Sequence, residues 1–250
     1  MKRKAIIFGV GLDIGKSIAT KLDDIGFDLV LVGRNREKID LISTALKNRH
    51  ESYIIDLTDH KQLKEMVDSM KDGELPDTVI TNLVLDYPIS KIIEQSEDLL
   101  AGRFANILTH LLSLAPKLIE FQRSIGFGRW IGISSYSEAI STPGMCQYNF
   151  QKSLLKQFIF TLAAEEGRWG VTGNIVSPGI INTSRMVNKY SDEKIVLLSG
   201  QNVLKRAGNP DDVAAAVAFL ASNDSSFISG QELAVNGGAN LGWQFLRSNK

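Results

Sequence analysis

Short apolar segments rich in β-branched residues alternate along this chain with segments whose apolar residues recur at three-and-four spacing, and few folds satisfy that rhythm. The strand candidates run Ala5 to Phe8, Leu29 to Val32, Tyr53 to Ile55, Thr78 to Thr81, Arg129 to Ile133, Thr172 to Val176 and Glu232 to Val235. Each is almost wholly apolar, the pattern of a strand covered on both faces. Helical spacing occupies Ile14 to Ile25, Arg36 to Asn48, His60 to Met70, Glu97 to Arg123, Gln147 to Glu166 and Pro210 to Ala221. Asp59, Ser96 and Asn209 stand where N-caps belong, and Pro210 takes the first helical position after the last of them. The alternation predicts an α/β fold: a three-layer, doubly wound parallel sheet of about seven strands with helices on both faces.

At 250 residues, with no repeat, linker or low-complexity run, one domain spanning 1–250 is the economical reading. The 28 Lys and Arg equal the 28 Asp and Glu, so no basic excess attracts nucleic acid or an anionic membrane. Apolar runs fall short of the roughly 18 residues a membrane helix needs. The opening MKRKAIIFGVGLD reads as a strand entering a turn, because Gly9, Gly11 and Asp13 interrupt what would otherwise pass for a signal peptide. One cysteine, Cys146, allows no internal disulfide, and a cytoplasmic location is the expectation. His50, His60 and His110 are too scattered to suggest a metal.

Three segments carry chemistry. The turn Phe8-Gly9-Val10-Gly11-Leu12-Asp13-Ile14-Gly15 lies between a strand and a helix, where glycines let backbone approach a pyrophosphate and the helix N-terminus offers N–H donors. At the tip of the second strand stands Arg34 rather than an acid, which suits a 2′-phosphate and favours NADP(H) over NAD(H). Tyr148 and Lys152 share a helical face at i and i+4, an arrangement in which the ammonium lowers the phenol pKa toward the range of a general acid. Upstream, an apolar strand ends in Ser134-Ser135; downstream, Asn174 begins a run into the turn Pro178-Gly179 and on to Thr183.

These motifs in this order resemble the short-chain dehydrogenase/reductase family over essentially the whole chain, including Arg206-Ala-Gly208-Asn-Pro210 and the run from Phe227 to Gly238. The resemblance implies a Rossmann-like fold and a proton-transfer set of Asn106, Ser135, Tyr148 and Lys152. In that scheme Tyr148 donates a proton to a carbonyl oxygen, Ser135 bonds the same oxygen and Lys152 contacts the nicotinamide ribose. Asn106 holds a water relay behind the lysine. The implied cofactor set is Gly9, Gly11, Asp13, Ile14, Gly15, Arg34, Asp56, Leu57, Asn82, Tyr148, Lys152, Pro178, Gly179, Ile181 and Thr183. Within it, Asp56 contacts adenine, and Thr183 with the Ile181 backbone holds the carboxamide. The resemblance also implies a homotetramer or homodimer through the two longest helices.

Two departures from the family pattern keep a second function class open. Asp13 replaces the middle glycine of the turn, where its charge weakens pyrophosphate binding unless it points away or finds a partner such as Lys16. Thr81-Asn82-Leu83-Val84 replaces Asn-Asn-Ala-Gly, adding bulk near the cofactor. The first class is an NADP(H)-dependent oxidoreductase interconverting a ketone or aldehyde and an alcohol. The second is a protein of the same fold with weakened or lost cofactor binding, acting as a binding or regulatory module. The mixed segment 179–200 is expected to form a lid over a moderately apolar pocket. Acyl thioester, steroid, sugar and secondary-metabolite ketones all fit that description, and the reaction direction stays open with them.

Overall fold

The structure is a computed structural model that describes residues 2–71, 73–84, 87 and 89–241, the side chains of Leu99 and Arg103 excepted. Seven strands, β1 (Lys4–Phe8), β2 (Asp28–Gly33), β3 (His50–Ile54), β4 (Thr78–Thr81), β5 (Gly128–Ile133), β6 (Val171–Pro178) and β7 (Glu232–Val235), form one sheet in the order β3-β2-β1-β4-β5-β6-β7. Every pairing is parallel. Side chains alternate across it: Ile6, Phe8, Val30 and Val32 enter one core with Leu63, Leu111 and Ile159, while Ala5, Ile7, Leu29 and Leu31 enter the other with Ile18, Ile39 and Val217. The period of two thus divides each central strand between two helical layers. Helices α3 (His60–Ser69), α4 (Glu97–Ile125) and α6 (Cys146–Glu166) cover the first face; α1 (Ile14–Asp24), α2 (Arg36–Ser43) and α9 (Pro210–Ala221) cover the second. This is the doubly wound, Rossmann-like arrangement that the alternation predicts.

The strand order reverses between β1 and β4. From β1 the chain winds outward to β2 and β3, then returns to lay β4 on the other side of β1, so connections leave the two strands in opposite directions and open a crevice at their carboxyl ends.

Differences from the expected elements have local causes. Strand β3 begins at His50, three residues before the apolar run, because an edge strand tolerates polar residues; His50 pairs with Leu29 and Ser52 with Leu31. Helix α2 stops at Ser43 instead of Asn48. The backbone N–H groups of Lys47 and Asn48 donate to the buried Asp23 carboxylate, each at 2.9 Å, and a continuing helix would need those donors for itself. Asp59 caps α3 by accepting the Gln62 N–H at 3.0 Å, whereas the Ser96 hydroxyl makes no cap bond to α4. Three short helices have no counterpart in the sequence reading: α5 (Tyr136–Ile140), α7 (Ser184–Lys189) and α8 (Asp192–Ser199). The last two lie within the expected lid.

Polar residues also enter the interior, and His110 is among them. His110 on α4 is fully buried, edge-on to Phe8 with ring centroids 4.8 Å apart, and neither ring nitrogen has a hydrogen-bond partner among the described residues. Burial, with a smaller contribution from His60, pushes its pKa down to about 4. The unfolded chain, near 6.5, takes up this proton first, so the stability tied to neutral His110 is complete above pH 6.5 and is lost as pH falls toward 4. Between pH 7 and 4.5 the native chain is expected to lose roughly 2–3 kcal/mol more stability than His110→Phe, read from urea midpoints; parallel losses would show that His110 is protonated without cost.

Candidate active site

Strand β1 ends at Phe8, and Gly9 follows with φ of +80°. A Cβ there would lie 2.3 Å from the Asn82 carbonyl oxygen, so both conformation and the end of β4 exclude a side chain. Asn82 completes the contact by donating its side-chain amide to the Gly9 carbonyl at 3.0 Å and its backbone N–H to Phe8 at 2.9 Å. At Gly15 a Cβ would press on the Val10 Cα at 3.0 Å, which sets how closely α1, opening at Ile14, packs on the turn. Gly11 is different. A Cβ there would meet no protein atom within 4 Å, so this glycine leaves the cleft wall bare without being demanded by the fold.

These residues border a cleft of about 640 Å³ that also receives Asp13, Arg34, Asp56, Leu57, Asn106 and Arg185. Leu83 and Val84 line it without closing it. At one end Arg34 follows β2, Asn35 caps α2 by accepting the Lys38 N–H at 2.9 Å, and Lys38 itself reaches the cleft. Asp56 accepts the Thr58 backbone N–H at 2.9 Å and its hydroxyl at 2.8 Å, bonds that, with Arg34 nearby, hold the carboxyl below its ordinary pKa. A cleft with a bare glycine wall and Arg34 and Lys38 in its lining fits a phosphorylated dinucleotide.

Asp13 occupies the N-cap position of α1 but caps a different helix. Its carboxylate accepts the Ser184 backbone N–H at 2.9 Å and the Ser184 hydroxyl at 2.6 Å. The partner is therefore the first residue of α7, not Lys16, and the acid ties the glycine-rich turn to that helix.

At the end of β5, Ser135 caps α5, its Oγ accepting the Ser137 N–H at 3.2 Å. The Tyr148 phenol on α6 lies near enough to Ser135 to feel its hydroxyl. Burial raises the phenol pKa, and Ser135 and the Arg185 charge offset only part of that rise. Lys152, one helical turn on, is 2% exposed; its Nζ donates to the Ile133 carbonyl at 2.7 Å and the Leu83 carbonyl at 2.9 Å. Burial, with Arg185 adding, brings this amine down to about 7. The expectation that Lys152 lowers the phenol pKa is thus corrected for this state of the site. An amine titrating near 7 has given up its charge before a phenol raised above 10 ionises, so it has no cation to offer.

Sheet register fixes the remaining residues. Pro178 ends β6 opposite Val235, and the Gly179 N–H donates to Val235 at 2.9 Å. Ile181 bridges Gly208 through bonds that fall on Ile180 and Asn182, which turns its own N–H and C=O to the opposite side. Thr183 caps α7 through the Met186 N–H at 3.3 Å. Three residues at the site went unread in the sequence. Lys38 sits one turn into a helix that looked merely charged, and Arg185 and Tyr87 come from connections without periodicity.

A family model described as enoyl-(acyl carrier protein) reductase matches residues 9–240. The chain belongs to the short-chain dehydrogenase/reductase family. Among curated members, it is 31% identical over 234 residues to the 3-oxoacyl-[acyl-carrier-protein] reductase FabG of Rickettsia bellii, covering 94% of this chain and 95% of that one. The Staphylococcus epidermidis protein of the same name is 30% identical over 247 residues, covering 95% and 99%. Solved structures share the fold: YwfH, described as an NADPH-dependent reductase involved in bacilysin biosynthesis, superposes with a TM-score of 0.88 at 23% identity over 96% of this chain and 98% of that one. ElxO with NADP bound does so with a TM-score of 0.85 at 22% identity over 96% and 99%. As a short-chain dehydrogenase/reductase the chain is an oxidoreductase, and Asp13 is its departure from the family's glycine turn.

Removing the Asp13 carboxylate deletes two hydrogen bonds that hold the start of α7. In Asp13→Gly, hydrogen exchange of the Ser184 amide is expected to accelerate about tenfold, while amides of β1 and β4 keep their protection. Unchanged exchange at Ser184 would show that the lid stays in place without this contact.

Proposed function

We propose that the protein is an NADPH-dependent carbonyl reductase in which Tyr148 donates the proton to the substrate oxygen. The observation that carries this reading is the Tyr148 phenol near Ser135 with Lys152 one turn away, joined through Leu83 and Arg185 to a cleft that Arg34 and Lys38 also line. A proton donor must keep its proton until the substrate oxygen gains charge, and burial of the phenol does that. Ser135 supplies the second donor to the same oxygen, and two preorganised donors at a developing alkoxide are a main source of rate. Bound NADPH supplies the hydride.

Around that group the chain's own residues divide the work. Arg34 and Lys38 hold the 2′-phosphate, Asp56 with Leu57 borders the adenine, and Gly9 to Gly15 faces the pyrophosphate. Lys152 holds the nicotinamide ribose, Ile181 and Thr183 the carboxamide, and Asn106, which lines the cleft, anchors a water relay. The 3-oxoacyl thioesters for which the curated relatives are named are the first compounds to assay. The face of α4 that exposes Leu112 and the exposed Phe150 on α6 leave apolar surface for a homodimer or homotetramer.

The second reading, a binding module that has lost its cofactor, draws on Asp13. Its carboxylate is already engaged by Ser184 and bears less on the pyrophosphate than its position in the turn suggests.

Titration followed by NADPH fluorescence separates the two readings. NADPH is expected to bind more tightly than NADH, with Arg34→Asp reversing the order; absence of binding by either would leave the binding-module reading. Tyr148→Phe is expected to keep NADPH affinity while turnover falls about 10²–10⁴-fold; turnover at the native rate would remove the donor role from Tyr148.

A further inference from the structure

The lid brings a cation to the reacting end of the cleft. Arg185, the second residue of α7, is exposed and lines the cleft, with its guanidinium 5.3 Å from the centre of the Tyr87 ring. Tyr87 in turn stacks on Tyr148 with centroids 4.8 Å apart. The arginine charge reaches both the Tyr148 phenol and the Lys152 amine. No carboxylate among the described residues lies within ion-pair distance of Arg185. A permanent cation near the phenol with no carboxylate partner among the described residues is electrostatically incomplete, and a guanidinium fork matches a carboxylate better than any neutral group does.

We infer that Arg185 is a specificity residue that selects a ketone bearing a free carboxylate, so that the preferred substrate class is an oxo acid rather than an ester or thioester. The inference rests on the reductase reading above and names its substrate. The carboxylate pairs with Arg185 while the oxo group takes the proton from Tyr148 and the hydride at carbon, giving the hydroxy acid and NADP⁺. The other anion able to reach Arg185 is a cofactor phosphate. Arg185 lies over the Tyr87 ring, which packs against Tyr148, whereas Arg34 acts on Asp56.

The test uses an aryl-substituted 2-oxo acid and its methyl ester. Calorimetric titration into Tyr148→Phe loaded with NADPH reads substrate affinity without turnover. The acid is expected to bind at least tenfold more tightly than the ester. Adding Arg185→Met should abolish that difference and leave NADPH affinity within twofold, and Arg185→Lys should restore part of it. Equal affinity of acid and ester, or binding of neither, overturns the inference, as does an Arg185→Met variant whose NADPH affinity falls by the same factor, which assigns the arginine to a cofactor phosphate. Failure of the reductase reading shows separately, as a wild-type protein that binds NADPH but turns over neither compound nor a 3-oxoacyl thioester.

Discussion

The approach of Gly9 to the end of β4 is the constraint on which the site depends. Because β1 and β4 are neighbours in the sheet but their following connections diverge, the residues just past both strands must fit side by side in the mouth of the crevice. Gly9 allows this by having no Cβ, and Asn82 fixes it by donating to the Gly9 carbonyl. A side chain at position 9 would push on backbone, which cannot rotate away, and would shift one wall of the cleft against the other.

Burial sets the electrostatic character of the reacting end. Removing the Tyr148 phenol and the Lys152 amine from water disfavours the charged form of each, raising one pKa and bringing the other to about 7. The pair tends to neutrality before any ligand arrives, and the permanent charge nearby belongs to Arg185. Proton donation by a protonated phenol is consistent with that state, and it does not require the lysine to activate the tyrosine in advance.

Much of the fold was legible because a doubly covered parallel strand leaves a nearly continuous apolar run, and β1 and β2 carry that run plainly. Edge pairing of β3 was not, since His50 to Ser52 are strand residues by virtue of β2 beside them rather than of their own composition. The early end of α2 was equally hidden, because the acid that claims its amides lies 24 residues away at Asp23. At the site, residues in fixed register were readable: Tyr148 and Lys152 lie one helical turn apart, and Ser135 follows a strand. Arg185 and Tyr87 were not, because only tertiary folding of two irregular connections brings them to Tyr148. Asp13 was noticed as a departure, but its partner 171 residues on could not be named from local pattern.

The bond from Asp13 to Ser184 joins the floor of the cleft to a helix of six residues. So short a helix does not hold itself together in water, since isolated helices below about 12 residues are marginal at best. Its order is conditional on the carboxylate beneath it and on the Thr183 cap. Arg185, the residue after Ser184, thus owes its place beside Tyr87 to a contact made by the glycine-rich turn.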